Sequence, residues 1–125
     1  SNLAGNVGGA LSAEEDGHIS ITQGTFTNNE ADFGGFLYKE GSGNASCIGA
    51  SVAGHRGVNG GALYAIEGAK LEWGCDLVNN SALMGPAIYA RDNAEVVLRG
   101  VKLYGNVVAR GSVVFVVSSN LTTYQ

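Results

Sequence analysis

The side chains that could perform chemistry are few and dispersed along the 125 residues of the chain. The acidic residues form one run, Glu14-Glu15-Asp16, and otherwise stand apart, as Asp32, Asp76 and Asp92 do. Glycoside hydrolysis requires two carboxyl groups held roughly 5–9 Å apart, and no acids align at the spacing that would pair them. We therefore expect no catalytic residues and no cofactor. The acidic run is typical of a solvated turn, and a weak calcium site is the alternative.

Cys47 and Cys75 are the only cysteines. Zinc sites combine cysteine and histidine ligands at short characteristic spacings. Neither His18 nor His55 stands in register with the cysteines, so we predict no metal site. The two thiols could instead form a disulfide, or they could fill the core as small buried side chains.

Three asparagines stand in the Asn-x-Ser/Thr sequence that accepts N-linked sugar. They are Asn44, Asn79 and Asn120. About one or two such sequences would arise by chance at this composition, but all three are expected at outward-facing positions. We predict N-glycosylation at one or more of them. Trp73, in the segment GAKLEWGCD, could stack on a sugar or pack in the core.

A repeated motif sets the positions of these residues. In five places a glycine, followed by a second glycine, a proline or a serine, precedes a short apolar run. The motifs begin at Gly8, Gly34, Gly60, Gly85 and Gly111. The interval between them is about 26 residues throughout, and only the step from Gly60 to Gly85 is one residue shorter than the others. A nearly constant period in this range predicts stacked repeats.

Each repeat contains short runs of alternating apolar and polar residues, such as HISIT at 18–22 and AKLEW at 69–73. Alternation at period two indicates half-buried strands. The period is too short for a strand–helix–strand unit, which needs roughly 30 residues. The sequence therefore predicts an all-β fold. We expect one domain over residues 1–125, a right-handed single-stranded parallel β-helix of about five rungs, each of ~26 residues.

Alignment of the repeats predicts which side chains face the core. One aliphatic column should face inward: Leu11, Leu37, Leu63, Ile88 and Val114. The next position should face outward as an aromatic surface ladder: Tyr38, Tyr64, Tyr89 and Phe115. Stacked aromatics stabilise a sheet face, and they could also bind sugar or a partner. Lys39 is the exception in the following inward column, which is otherwise small and apolar.

A polar column is expected at one corner of the repeat. It comprises Asn29, His55, Asn80 and Asn106. Asparagine side chains can hydrogen-bond from rung to rung, and asparagine tolerates the left-handed backbone of tight turns. We interpret His55 as a substitute within this ladder rather than as a metal ligand.

The cysteines fall on adjacent rungs, because the separation between Cys47 and Cys75 along the chain is close to one period. The one short interval implies a deletion of one residue between Trp73 and Leu77. If that deletion moves Cys75 across, the two Cα atoms could come within the roughly 7 Å that a disulfide needs. The disulfide and the pair of buried thiols both remain open at this point.

The segments FTNNEADFGGFLY at 26–38 and LVNNSALMGPAIY at 77–89 resemble the Phe-x-x-Asn and Gly-Gly-Ala-Ile repeats of polymorphic outer membrane proteins and related β-helix proteins. The chain departs from that pattern at Val52, His55, Pro86 and Gly105. The resemblance implies a parallel β-helix of the passenger type. It also implies a secreted or surface-displayed protein, often an adhesin.

Composition agrees with a soluble, folded, β-rich domain. The formal net charge of −4 argues against nucleic acid, which attracts a basic stripe. No apolar run is long enough to span a membrane. The sequence begins without Met and without a signal-type segment, so we expect a processed chain or a fragment. We predict an extracellular or cell-surface location.

Three function classes follow, in decreasing order of preference. The first is a non-enzymatic building block of a filament or surface layer, assembled from head-to-tail copies or continued by flanking rungs of a longer chain. The second is an adhesin-like module that binds glycan or protein. The third is a polysaccharide-active enzyme. For the first class, we expect Ser1-Asn2-Leu3 to align with Thr27-Asn28-Asn29, and Tyr124-Gln125 with Ile21-Thr22.

Overall fold

The computed structural model describes residues 2–124 and forms sixteen β-strands in that range. In chain order they are β1 (Leu11–Ala13), β2 (Ile19–Ile21), β3 (Gly24–Thr27), β4 (Leu37–Glu40), β5 (Asn44–Cys47), β6 (Ala50–Ala53), β7 (Leu63–Ile66), β8 (Lys70–Trp73), β9 (Leu77–Val78), β10 (Ser81–Ala82), β11 (Ile88–Arg91), β12 (Glu95–Arg99), β13 (Leu103–Tyr104), β14 (Val107–Val108), β15 (Val114–Val117) and β16 (Asn120–Tyr124). The described residues form no helix that could cross a membrane.

Parallel pairing between successive repeats builds the architecture. The first sheet has the order β1-β4-β7-β11-β15, the second β2-β5-β8-β12-β16 and the third β3-β6-β9-β13. A short sheet, β10-β14, lies between the third sheet and the next turn of the first. Four steps separate the five strands of the first sheet, so the chain makes about four full turns. The predicted all-β parallel solenoid is confirmed, with a spacing of about 26 residues between stacked positions.

The core runs along the solenoid axis. The predicted aliphatic column stacks in register, Leu11 on Leu37 and Leu37 on Leu63, then Ile88 and Val114. Leu37, Leu63 and Ile88 are fully buried. Because side chains alternate between the two faces of a strand, strands β4 to β9, β11 and β12 each contribute one or two buried residues to this core.

The paired glycines are needed for two different reasons. Gly34 has φ +67°, a left-handed conformation that costs glycine little. Gly35 has no such conformation, but a Cβ there would collide with the backbone carbonyl oxygens of Arg56 and Gly61. The first glycine therefore turns the chain, and the second lets adjacent turns approach closely.

The strands keep their register even where the corners differ in length. A constant period would pair Leu98 with Tyr124, but Leu98 pairs with Thr123. The reason is that the corner between β15 and β16 is one residue shorter than the corner between β11 and β12. This shift places Leu121, rather than Thr122, on the inward position above Val96. A one-residue slip would turn the whole strand inside out, so the corner absorbs the change.

The first turn departs from the prediction in the opposite direction. Leu3 bridges to Glu30, not to Asn29 as the constant period implied. Tyr124 pairs with Arg99, so its expected alignment with Ile21 was wrong by one position. Ser1 and Gln125 lie outside the described residues.

Lys39 is fully buried at an inward position of β4. Its Nζ donates hydrogen bonds to the backbone oxygens of Glu15 (3.2 Å), Glu40 (2.8 Å) and Gly41 (3.0 Å). These oxygens belong to corners on two successive turns. The ammonium group thus satisfies three carbonyls at once, and desolvation lowers the pKa of Lys39 from its ordinary value.

Replacement of Lys39 by methionine shortens the unbranched side chain by one atom and removes all three hydrogen-bond donations of the ammonium group. We expect Lys39→Met to lower the free energy of unfolding by about 2 kcal/mol, the cost of leaving buried acceptors unpaired. Lys70→Met, at an exposed strand position, is the matched control and should change it by less than about 0.5 kcal/mol. Equal midpoints for the two variants in urea would contradict the structural role of Lys39.

Candidate functional site

A ladder of polar side chains runs along one corner of the solenoid. Asn80 Oδ1 accepts the backbone N–H of His55 at 2.9 Å, and Asn106 Oδ1 accepts that of Asn80 at 2.9 Å. His55 Nδ1 accepts the N–H of Asn29 at 3.1 Å. Each side chain therefore serves the backbone of the preceding turn. All four predicted members, Asn29, His55, Asn80 and Asn106, stand in this ladder.

Asn2 is a fifth member that the sequence did not reveal. Asn29 Oδ1 accepts both the backbone N–H of Asn2 (2.7 Å) and its Nδ2 (2.9 Å). Asn80 binds Asn106 Oδ1 through the same two donors. The interval from Asn2 to Asn29 is 27 residues, and a search at a constant period one residue shorter passes over it.

His55 reproduces both halves of an asparagine amide. Its Nδ1 takes the place of the Oδ1 acceptor, and its Nε2 lies 3.0 Å from the backbone oxygen of Phe26. Asn106 Nδ2 donates at 2.8 Å to the oxygen of Leu77, two turns above Phe26 in the same column. Since a backbone N–H can only donate and a carbonyl can only accept, His55 is neutral with its proton on Nε2.

The left-handed backbone at this corner belongs to the residue before each ladder position. Asn28 and Asn79 have φ +57° and +55°, and Gly54 and Gly105 alternate with them at +74° and +69°. Our expectation that the ladder asparagines themselves adopt this conformation was wrong. The alternation has a steric reason, because a Cβ at Gly54 would collide with Oδ1 of Asn28.

Burial lowers the pKa of His55 from 6.5 to about 4. Between those pH values the unfolded chain binds a proton that the folded chain refuses, so stability rises with pH. The free energy of unfolding should therefore fall by about 3 kcal/mol in total as pH drops from 6.5 to 4.

The control for this pH dependence is His55→Asn, which restores the ladder residue and removes the titrating ring. Thermal unfolding followed by circular dichroism at several pH values measures both proteins. In the native chain the free energy of unfolding should fall as the pH drops from 6.5 to 4, and in the variant most of that fall should be absent. An equal decline in both proteins would show that His55 is not its source.

Cys47 and Cys75 form a disulfide in the structure, with Cα atoms 5.7 Å apart. Cys47 lies on β5, and Cys75 lies in the corner between β8 and β9 that is one residue shorter than its counterpart. The bond is buried and ties two successive turns together. Closing a loop with a sequence separation of 28 contributes about 3.5 kcal/mol in the chain-entropy model.

The aromatic ladder stacks as predicted but is not a surface feature in its first part. The rings of Tyr38, Tyr64, Tyr89 and Phe115 follow one another at centroid distances of 5.4, 5.1 and 5.0 Å, nearly parallel. Tyr38 and Tyr64 are buried, however, because Phe33 and Val7 pack over them. The prediction of an exposed ladder was wrong for these two rings.

The hydroxyl of Tyr64 in the aromatic ladder has a side-chain partner. Tyr64 OH accepts a hydrogen bond from Arg91 Nε at 3.1 Å. Burial raises the pKa of Tyr38 to about 12, and the nearby Glu40 carboxylate adds to the shift. Both rings therefore remain neutral phenols and act in packing.

Trp73 is a core residue. It is fully buried, with its ring centroid 6.4 Å from that of Phe36. The alternative of a sugar-stacking tryptophan was wrong. Its indole Nε1 has no hydrogen-bond partner among the described residues.

The three sequon asparagines lie outside the core. Asn44 and Asn120 begin β5 and β16 and share one outward-facing column with Lys70 and Glu95. Asn44 is half-buried, and Asn79 and Asn120 are exposed. Glycosylation of these three residues remains a prediction.

The run Glu14-Glu15-Asp16 lies at a solvated corner, and all three residues are exposed. Glu15 has φ +54° there, and Ser42 Oγ donates to Asp16 on the neighbouring turn. Glu67 and Asp92 occupy the same corner position one turn apart. In residues 2–124, no group of three or more potential ligands could hold a metal ion.

Comparison of the chain with family models, curated proteins and solved structures gives no match.

Proposed function

We propose that this chain is a non-enzymatic structural module of an extracellular filament or surface layer, built by continued stacking of β-helical turns. One observation carries the proposal. The buried polar or charged residues between 2 and 124 are Asn29, Lys39, His55 and Asn80. All four bind backbone groups, so the polar chemistry of the interior serves the scaffold.

The outer turns of the stack favour continuation by a further rung. Strands β15 and β16 each pair on one side only within the described residues. Leu121 points inward above Val96, yet it is 43% exposed because no described residue covers its other side. Unpaired strand edges and open apolar columns invite pairing. A copy of the chain, or flanking rungs of a longer polypeptide, would supply what these positions need.

Two features support an extracellular setting. Disulfides persist in oxidising compartments and are rare in the cytosol, and Cys47 is bonded to Cys75. The sequon residues Asn44, Asn79 and Asn120 face away from the core, where N-glycans could be carried without disturbing the turns. Intact-mass comparison before and after deglycosylation of material from the native source tests this part of the proposal.

A second candidate function is an adhesin-like binding module. A shallow groove of about 240 Å³ lies on the outer face of the third sheet, lined by Ser51, Asp76 and Tyr104 among others. Tyr104 is 59% exposed there. An exposed ring beside hydroxyl and carboxylate groups suits a sugar, which stacks on aromatics and forms hydrogen bonds. This face, rather than the buried part of the aromatic ladder, is the candidate surface for glycan.

End-to-end stacking predicts a specific sensitivity at the last strand. Leu121→Lys places a charge on the inward column of the exposed rung and should abolish concentration-dependent axial assembly. Thr122→Lys, on the outward side of the same strand, is the matched control and should assemble as the native chain does. Sedimentation velocity and negative-stain electron microscopy provide the measurement. A native chain that stays monomeric at high micromolar concentration, or equal assembly of both variants, would contradict self-stacking.

A further inference from the structure

One lateral face of the solenoid lies apart from the strand edges that axial stacking would use. It is formed by the short sheet β10-β14 and by the bridges that continue it, from Leu3 to Glu30, Arg56 and Ser81. Five short stacked stretches form this surface, which we call the lateral face, and they begin at Leu3, Glu30, Arg56, Ser81 and Val107. We number the turns from one to five after these stretches. It lies to the side of the axis, whereas Leu121 lies on the rung end.

The lateral face collects exposed apolar side chains. Ten large hydrophobic residues are exposed between residues 2 and 124, and four of them, Leu3, Val58, Leu83 and Val107, lie on this face. Val58 and Leu83 are adjacent in one column, 41% and 49% exposed. Together with Val107 and Ala109 they line a shallow depression of about 290 Å³. Neighbouring exposed apolar side chains of this kind make the lateral face a candidate interaction surface.

Charge on the lateral face is divided along the solenoid axis. The second turn carries Glu30 and Asp32, which are exposed. The fifth turn carries the exposed Arg110, whose backbone N–H binds Leu83 O on the fourth turn. Arg56, on the third turn, forms a long ion pair of 3.9 Å with Glu30. One end of the face is therefore acidic, and the opposite end is basic.

We propose that the lateral face binds the same face of a second copy of this chain, with the two solenoid axes antiparallel. A two-fold axis between the third and fourth turns, perpendicular to the solenoid, generates this contact. It places Val58 of one copy against Leu83 of the other, and Asp32 against Arg110. The contact is isologous, so each charge pair occurs twice.

The charge pattern selects this arrangement over its alternative. A parallel pairing of the same two faces would set equal turns against each other. Asp32 would then meet Asp32, and Arg110 would meet Arg110. Like charges in contact across an interface disfavour it, whereas the antiparallel arrangement pairs opposite charges at both ends and apolar residues between them.

The size of the face predicts a weak contact for one isolated pair. Four steps of roughly 4.8 Å give the face a length of about 19 Å. A square interface of roughly 800 Å² per partner would have sides of roughly 28 Å. Detection therefore calls for high concentration. In a stacked filament the contact would repeat along the axis, and multivalency would strengthen it.

A charge-exchange cycle in the Leu121→Lys background tests the proposal, because that background suppresses axial stacking. Sedimentation equilibrium at concentrations up to about 1 mM should show a monomer–dimer equilibrium. Asp32→Arg or Arg110→Asp alone should raise the dissociation constant of the dimer about tenfold or more. The double variant Asp32→Arg/Arg110→Asp restores opposite charges across the two-fold axis and should recover most of the native affinity.

Glu72→Arg makes the same charge change on an exposed position of the second sheet and should leave dimerisation unchanged. Circular dichroism confirms that each variant is folded. A chain that stays monomeric throughout, which would leave the face to a different partner, overturns the proposal. It is equally overturned if the double variant is as weak as the single ones. Failure of axial stacking in the native chain would leave this result untouched, so the two proposals are tested separately.

Discussion

Backbone hydrogen bonds between successive turns hold each strand residue directly beside its counterpart one repeat away, as for Leu37 between Leu11 and Leu63. Each side chain must therefore fit the side chains directly above and below it in its column as well as its other neighbours. Aliphatic columns fill the axis, aromatic rings stack, and glycines recur where a Cβ would strike the carbonyls of the next turn. Corners vary in length by one residue, as at Leu98 and Thr123, because a slip within a strand would expose the core.

The polar ladder solves the problem that this stacking creates at the corners. Where the chain leaves a strand, its backbone N–H groups lose the hydrogen bonds that they would form with the neighbouring strand. A buried N–H without a partner lowers the free energy of unfolding by about 1–3 kcal/mol. The side chain of the next turn supplies the acceptor, as Asn80 does for His55. Lys39 performs the complementary task for three carbonyl oxygens at another corner. The disulfide between Cys47 and Cys75 reinforces the corner that is one residue short.

The sequence predicted what periodicity controls and missed what depends on single corners. The period, the parallel strands and the inward column around Leu63 follow from alternation and spacing. The sequence did not indicate Asn2 as a member of the polar ladder, because it precedes Asn29 by 27 residues rather than by the usual 26. The burial of Tyr64 depends on Phe33, which lies in a segment without strand alternation, so nothing in the pattern indicated that it folds over the ladder. Lys39 donates its hydrogen bonds to backbone oxygens, and a sequence motif, which consists of side chains, cannot indicate such acceptors.

The central claim is that buried polar side chains hold the turns together, and His55 offers the most direct measurement of it. Nitrogen-15 NMR of the imidazole ring distinguishes the two tautomers and follows protonation. The account predicts a single neutral form with the proton on Nε2, a scalar coupling across the hydrogen bond between Nδ1 and the Asn29 N–H, and no titration until the pH approaches about 4. A ring that exchanges between tautomers, or that titrates near its ordinary value of 6.5, would contradict it.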